Sequence, residues 1–241
     1  MHFKIIQSPN YSKKTRKLDK IKFLIIHYTG MQSVRASILR LTNLRSKVSC
    51  HYLIKRNGNV VQMVQDEKVA WHAGKSKWKN FKNLNNTSIG IELVNKGHEL
   101  GYQNFPKKQV RSLIKLIFVL KKKYKIKASN ILGHSDIAPT RKIDPGENFP
   151  WFKLNKNGLG IHLKNIKIKF FKIKNKKELR NCFFTNLYKI GYRYFNRKKS
   201  NSSDKFIVRA FQMRFFQKNV SGLIDQKTFE ISHYLANKIK K

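Results

Sequence analysis

The run Ile21-Lys22-Phe23-Leu24-Ile25-Ile26-His27-Tyr28-Thr29 decides the fold class. Its apolar stretch is short and β-rich, so it reads as a buried strand. His27 stands at the C-terminal end of that strand. A side chain there leaves the sheet at the edge where open α/β folds build their sites. Further along, Val34, Ile38 and Leu41 recur at helical spacing within 33–44. Residues 51–55 and 60–64 flank Arg56-Asn57-Gly58-Asn59, and Asn-Gly between two β-branched runs is a hairpin signal. Residues 88–94 form another strand, with Ile89 and Ile91 on one face and Gly90 and Glu92 on the other. Pro106 opens a helix to about residue 123, whose apolar face is Val110, Leu113, Ile114, Ile117 and Leu120. Residues 131–134 then enter a Pro/Gly/Asp-rich loop that ends near Pro150. This order predicts an α/β fold, a central sheet covered by helices.

Past Gly158-Leu159-Gly160 the character changes. Residues 164–177 are Lys-rich and read as a connecting segment with room for a short edge strand. Helical patterns follow at 178–190, 205–217 and 226–239, with Leu187, Ile207, Phe211 and Phe229 as the core of a small three-helix bundle. Two domains are therefore expected, at 1–163 and 175–241.

Lys and Arg number 53 against 12 Asp and Glu, a formal net charge of +41. Hydrophobic residues make up 40% and aromatics 12%, enough for a core and too many for a disordered basic tail. No apolar run approaches the roughly 20 residues that span a bilayer. Cys50 and Cys182 are too few for a disulfide framework. The basic residues are spread along the chain, Lys far exceeds Arg, and Asn, Ile and Phe are abundant. Compositional drift in an AT-rich coding sequence accounts for that mixture, and so does selection for a polyanion partner such as an anionic wall polymer or a membrane surface. Nothing singles out a specific nucleic acid.

His2, His98, His162 and His233 lie in ordinary contexts and are assigned no role. His27 and His134 each end a strand, and Asp144 follows His134 in Arg141-Lys142-Ile143-Asp144-Pro145-Gly146. Two imidazoles and one carboxylate form a catalytic zinc set with an open fourth position, although a hydrogen-bonded structural histidine is the commoner outcome for any one of them. Glu92 in an apolar strand is either solvated or placed in a site. Lys142 carries no signal of its own among 53 basic residues. Trp71-His72-Ala73-Gly74 suits a binding wall or local core.

Five blocks then occur in a characteristic order: His27-Tyr28-Thr29, Ser49-Cys50-His51-Tyr52-Leu53-Ile54, Ala70-Trp71-His72-Ala73-Gly74, Asn86-Thr87-Ser88-Ile89-Gly90-Ile91-Glu92, and the stretch from Gly133-His134 through Lys142 and Asp144 to Gly146. Together they resemble the zinc-dependent N-acetylmuramoyl-L-alanine amidases of the amidase-2 family, in its AmiD-like branch, over residues 20–160. The family is related to the peptidoglycan recognition proteins. Ala210-Phe211-Gln212 and Gly222-Leu223-Ile224-Asp225-Gln226-Lys227-Thr228 resemble, more briefly, a three-helix peptidoglycan-binding domain. The resemblance implies a central mixed β-sheet flanked by helices. It implies Zn²⁺ held by His27, His134 and Asp144, Glu92 as catalytic carboxylate, Lys142 facing the developing oxyanion, and His51 and His72 along the substrate groove. The implied substrate is the amide between N-acetylmuramic acid and L-alanine in peptidoglycan or muropeptides. Some relatives carry Tyr where Cys50 stands, so no Tyr-based role is assigned there.

A receptor-like relative that binds muropeptide without cutting it is the alternative. Loss of a zinc ligand marks that class, and here all three ligand positions are filled. The chain is expected to be a monomer, with the tail anchoring it to wall. No signal peptide or lipobox cysteine is visible near Met1, which reads as cytoplasmic, whereas the resemblance implies the cell envelope.

Overall fold

The computed structural model describes residues 3–161 and 175–238. The expected connecting segment falls largely in 162–174, outside the described residues, as do His2 and His162. The strands are β1 (Lys4–Ile5), β2 (Tyr11–Ser12), β3 (Phe23–Tyr28), β4 (Tyr52–Ile54), β5 (Val60–Gln62), β6 (Val69–Ala70), β7 (Lys77–Trp78), β8 (Phe81–Lys82), β9 (Ser88–Leu93) and β10 (Ile131–Gly133). The helices are α1 (Val34–Thr42), α2 (Lys107–Tyr124), α3 (His134–Ile137), α4 (Trp151–Lys156), α5 (Lys176–Ile190), α6 (Asp204–Phe215) and α7 (Gln226–Lys238).

The main sheet has the order β1-β5-β4-β9-β3-β10. It is mixed: β4 and β5 pair antiparallel, closed by the Asn57-Gly58 turn, while β4–β9, β9–β3 and β3–β10 are parallel. Alternation along β3 divides the molecule. Leu24 and Ile26 face α2 and pack with Ile89, Ile91, Leu113 and Ile117. Phe23, Ile25 and His27 point the other way. Helix α2 owes its placement to the apolar stripe read from sequence, and Lys121, Lys122 and Lys123 in its last turn complement the helix dipole.

The opposite face is covered at its lower end by the C-terminal helices. Phe23 and Ile25 of β3 and Leu132 of β10 share one buried cluster with Phe183 and Leu187 of α5, Ile207 and Phe211 of α6, and Phe229 of α7. Trp78 meets Tyr192 edge-on with ring centroids 4.9 Å apart. Local signals build the three helices: the Asn175 side chain caps α5 by accepting from the Glu178 amide, and Arg180 pairs with Asp204 at 2.6 Å. Residues 175–238 carry the three helices expected there, and these also pack against the sheet. These helices bury part of one face of the sheet, joined there by Phe81, whose ring meets Phe23 edge-on with centroids 4.9 Å apart.

Burial of side chains of this size stabilises by about 1.5–3 kcal/mol each. A chain ending at residue 174 therefore exposes Phe23, Ile25, Leu132 and Trp78 together. Its expected behaviour is a lower midpoint of thermal unfolding and dye binding by exposed apolar surface. An unchanged midpoint in the shortened chain would show that the helices merely sit beside the sheet.

Candidate active site

The site lies where the strands end. Along β3, Phe23 and Ile25 are buried beneath the C-terminal helices, and the next residue on that face, His27, opens into a cavity of about 410 Å³. Its register partner on β9 is Glu92. On the other side of β3, β10 runs directly into α3, whose first residue is His134. Asp144 returns on the following loop, fixed by the Ser135 amide, which donates to the Asp144 carbonyl at 2.8 Å. Residues far apart in sequence thus reach one point through parallel pairing and one short loop.

The distances are tight. His27 Nδ1 lies 3.0 Å from His134 Nδ1 and 3.0 Å from Asp144 Oδ2, and His134 Nδ1 lies 3.1 Å from the same oxygen. The outer nitrogens fix the tautomers. His134 Nε2 faces the Ala73 carbonyl at 3.2 Å, so it carries the proton. Ser88 Oγ gives its hydrogen to the Leu84 carbonyl, so His72 Nε2 must donate to Ser88 Oγ, at 3.2 Å. That leaves His72 Nδ1 to accept from His27 Nε2 at 3.0 Å. Both Nδ1 lone pairs consequently face each other and a carboxylate oxygen. Three acceptors converge with no donor among them, which is unfavourable without a cation.

Electrostatics agree. Burial, reinforced by His134 and opposed by Asp144, lowers His27 to about 4. The three ligand atoms lie within 4.8 Å of one another. Ligands bound at about 2.0–2.1 Å around a tetrahedral zinc stand about 3.3 Å apart, so two nitrogens and one oxygen at this spacing fit that ion.

Glu92 presents a second unmet demand. Its Oε2 is buried without a hydrogen-bond partner. Burial, and then the Asp144 charge, push its carboxyl up to about 8 against the pull of Lys142. Lys142 lines the same cavity. Its neighbour Arg141 ties this loop to the opposite wall, donating to the Ala73 carbonyl at 2.7 Å and the Lys75 carbonyl at 3.1 Å.

His72 lines the cavity beside Trp71 and supports His27 from behind. It fits because Gly90 has no side chain: a Cβ there would stand 2.4 Å from His72 Cγ. His51 is placed differently from the groove position expected for it. It is fully buried and does not line the cavity. Its Nδ1 accepts from the Gly90 amide at 3.0 Å, which secures β9 against β4 and backs the His72 ring. His98, assigned no role from sequence, lies on the cavity wall. It bonds Tyr28 Oη at 2.8 Å and Glu147 at 3.0 Å, and stacks on Tyr102. Asn85 was also missed: its Oδ1 accepts from the His72 and Ala73 amides at 3.1 and 2.7 Å. Both depend on partners distant in sequence, so no local pattern marks them.

With this geometry in place, the comparison with known families decides the assignment: the N-acetylmuramoyl-L-alanine amidase (amidase-2) family model matches residues 17–147. The chain belongs to that family. The match takes in His27, Glu92, His134, Lys142 and Asp144. The amidase is 32% identical to N-acetylmuramoyl-L-alanine amidase AmiD of Escherichia coli, over 97% of this chain and 91% of the relative. It is 36% identical to the 1,6-anhydro-N-acetylmuramyl-L-alanine amidase AmpD of Haemophilus influenzae, over 61% of this chain and 86% of that protein. Its fold matches the E. coli AmiD complex with anhydro-N-acetylmuramic acid-L-Ala-D-gamma-Glu-L-Lys, with a TM-score of 0.80 at 30% identity over 94% of this chain and 92% of that one. AmpDh3 of Pseudomonas aeruginosa matches with a TM-score of 0.82 at 28% identity, over 98% of this chain and 99% of that one. These last two alignments include the C-terminal helices.

The neutral buried histidines make the metal-free protein acid-sensitive. Burial, and then the Arg16 charge, lower His51 from 6.5 to about 3. A histidine whose folded pKa is depressed leaves the unfolded state binding more protons below 6.5. Its stabilisation is therefore complete above pH 6.5 and is lost as pH falls toward 3. The loss is about 2 kcal/mol by pH 5. His51→Asn keeps an acceptor for the Gly90 amide and removes the titration. With chelator present, denaturant unfolding between pH 7 and 5 should show a shallower pH slope in this variant than in the parent. Equal slopes would assign the acid sensitivity elsewhere.

Proposed function

We propose that this amidase works as a zinc hydrolase on the bond between N-acetylmuramic acid and the L-alanine of a muropeptide. The observation that carries the reading is the convergence of His27 Nδ1, His134 Nδ1 and Asp144 Oδ2 in the cavity that Glu92, with its buried and unpartnered Oε2, also lines. Zinc, when bound, supplies a Lewis acid for an amide carbonyl and acidifies water toward a pKa of about 7. Everything else is assigned to the chain. The Asp144 carboxylate and the two bare imidazole nitrogens hold the ion. A nearby cation favours ionised Glu92 over the neutral form that burial selects. Glu92 then takes the proton of the attacking water and returns it to the departing alanine nitrogen. Lys142 faces the negative charge that gathers on the former carbonyl oxygen.

The cavity suits an acidic peptide attached to a sugar. Arg40, Lys96 and Arg141 join Lys142 on its wall and match the carboxylates of a stem peptide, while Trp71 and Tyr28 offer flat apolar surface. The AmiD relative was solved with an anhydro-muramyl peptide, and the same substrate class is proposed here. The +41 charge adds salt-dependent attraction to anionic wall polymer.

Release of free stem peptide from a purified anhydro-muropeptide, followed by chromatography, tests the reading. Chelation should abolish release and zinc restore it; full turnover by the metal-free protein would remove zinc from the chemistry. Glu92→Gln should retain zinc by elemental analysis and lower the rate by about 10²–10⁴-fold. Lys142→Ala should lower the rate with zinc content unchanged. A Glu92→Gln enzyme at parental rate would leave that carboxylate with no part in proton transfer.

A further inference from the structure

The C-terminal helices reach the metal centre through one buried charge. Arg214 of α6 and Asp136 of α3 pair with side-chain exposures of 3% and 1%. Arg214 Nη1 donates to Asp136 Oδ2, and Nη2 donates to the Ile131 carbonyl at 2.8 Å. The guanidinium also lies over the Trp151 ring, 4.4 Å from its centroid. Asp136 is used from every side. The Gly133 amide donates to Oδ2 at 2.7 Å, and the Tyr192 hydroxyl, at the end of α5, donates to Oδ1 at 2.5 Å.

These contacts bracket His134. Ile131 and Gly133 precede it and Asp136 follows it. Helix α3 spans only His134–Ile137. A single turn has little stability of its own, so its orientation is set from outside. The Asp136 carboxylate sets it by capping the Gly133 amide. A carboxylate this deeply buried needs a partner of opposite charge to hold its place, and Arg214 is the cation that pairs with it.

We propose that Arg214 is a positioning residue for the metal centre, acting through Asp136 to aim His134 at His27 and Asp144. The proposal rests on the metal reading given above. The C-terminal helices are then part of the catalytic apparatus, since they supply the charge that holds a ligand-bearing turn. Outer partners of metal ligands act in this way, by fixing ligand orientation before the ion arrives.

The test uses the full chain and reads zinc affinity by competition with a chromophoric chelator, together with the visible spectrum of the cobalt-substituted protein. Arg214→Met keeps bulk and removes the charge, and it should weaken zinc binding by about 10–100-fold and alter the cobalt spectrum. Arg214→Lys should recover part of the loss. Tyr192→Phe removes one hydroxyl without opening a cavity, and it should shift affinity in the same direction by less. Arg180→Met breaks the Arg180–Asp204 pair, which lies within the C-terminal helices. It should lower thermal stability and leave zinc affinity unchanged. Parental zinc affinity and cobalt spectrum in Arg214→Met, whatever its melting temperature, overturn the proposal. An equal loss of affinity in Arg180→Met overturns it as well. If Arg214→Met does not fold, Tyr192→Phe decides by the same criterion. A parent protein that binds no zinc overturns both this proposal and the metal reading; a zinc-binding parent with an indifferent Arg214→Met overturns this one alone.

Discussion

Three acceptor atoms held about 3 Å apart in a buried pocket repel one another, and the surrounding structure is arranged to hold them there. Each ligand is pinned from its far side. His134 gives its outer proton to the Ala73 carbonyl, and His27 gives its own to His72, which passes the demand to Ser88 and then to the Leu84 carbonyl. Asp144 is fixed through its backbone to Ser135. Removal of any of these supports frees a ring or a loop to relieve the repulsion by turning away. The chain therefore commits its polar interior to a geometry that a cation completes.

The same face of the sheet carries two tasks. Near the start of β3 it is apolar and covered by helices; at the end of β3 it is polar and open. The change falls between Ile25 and His27, two residues apart on one face. It places the ligand-bearing turn α3 beside α6, so the cover of the core and the support of the site meet at Asp136. The C-terminal helices thereby touch the turn that carries His134.

Much of this was legible in the sequence because it is local. The strand ending at His27, the Asn-Gly hairpin, the apolar stripe of α2 and the three C-terminal helices follow from residue spacing and turn chemistry. Alternation placed Gly90 and Glu92 on one face, and the structure shows why both positions matter. Gly90 makes room for His72, and Glu92 projects into the cavity. The ordered blocks carried the family, since each block holds a residue the site needs together with its immediate strand or turn.

Tertiary structure decided what depends on distant partners. The resemblance sets His51 and His72 alike along the substrate groove, yet one is fully buried and bonded to the Gly90 amide and the other lines the cavity. Arg214 is one basic residue among 53, and its importance arises only when folding sets it against Asp136, away from water. His98 gains its place from Glu147 and Tyr28. Sequence by itself determined the central strands, the long helices and the family, because these are written in spacing and residue chemistry. Which histidine lines the cavity, and that the helical tail packs against the sheet and sets Arg214 on Asp136, was decided by packing, because desolvation and pairing exist only between groups that the fold has brought together.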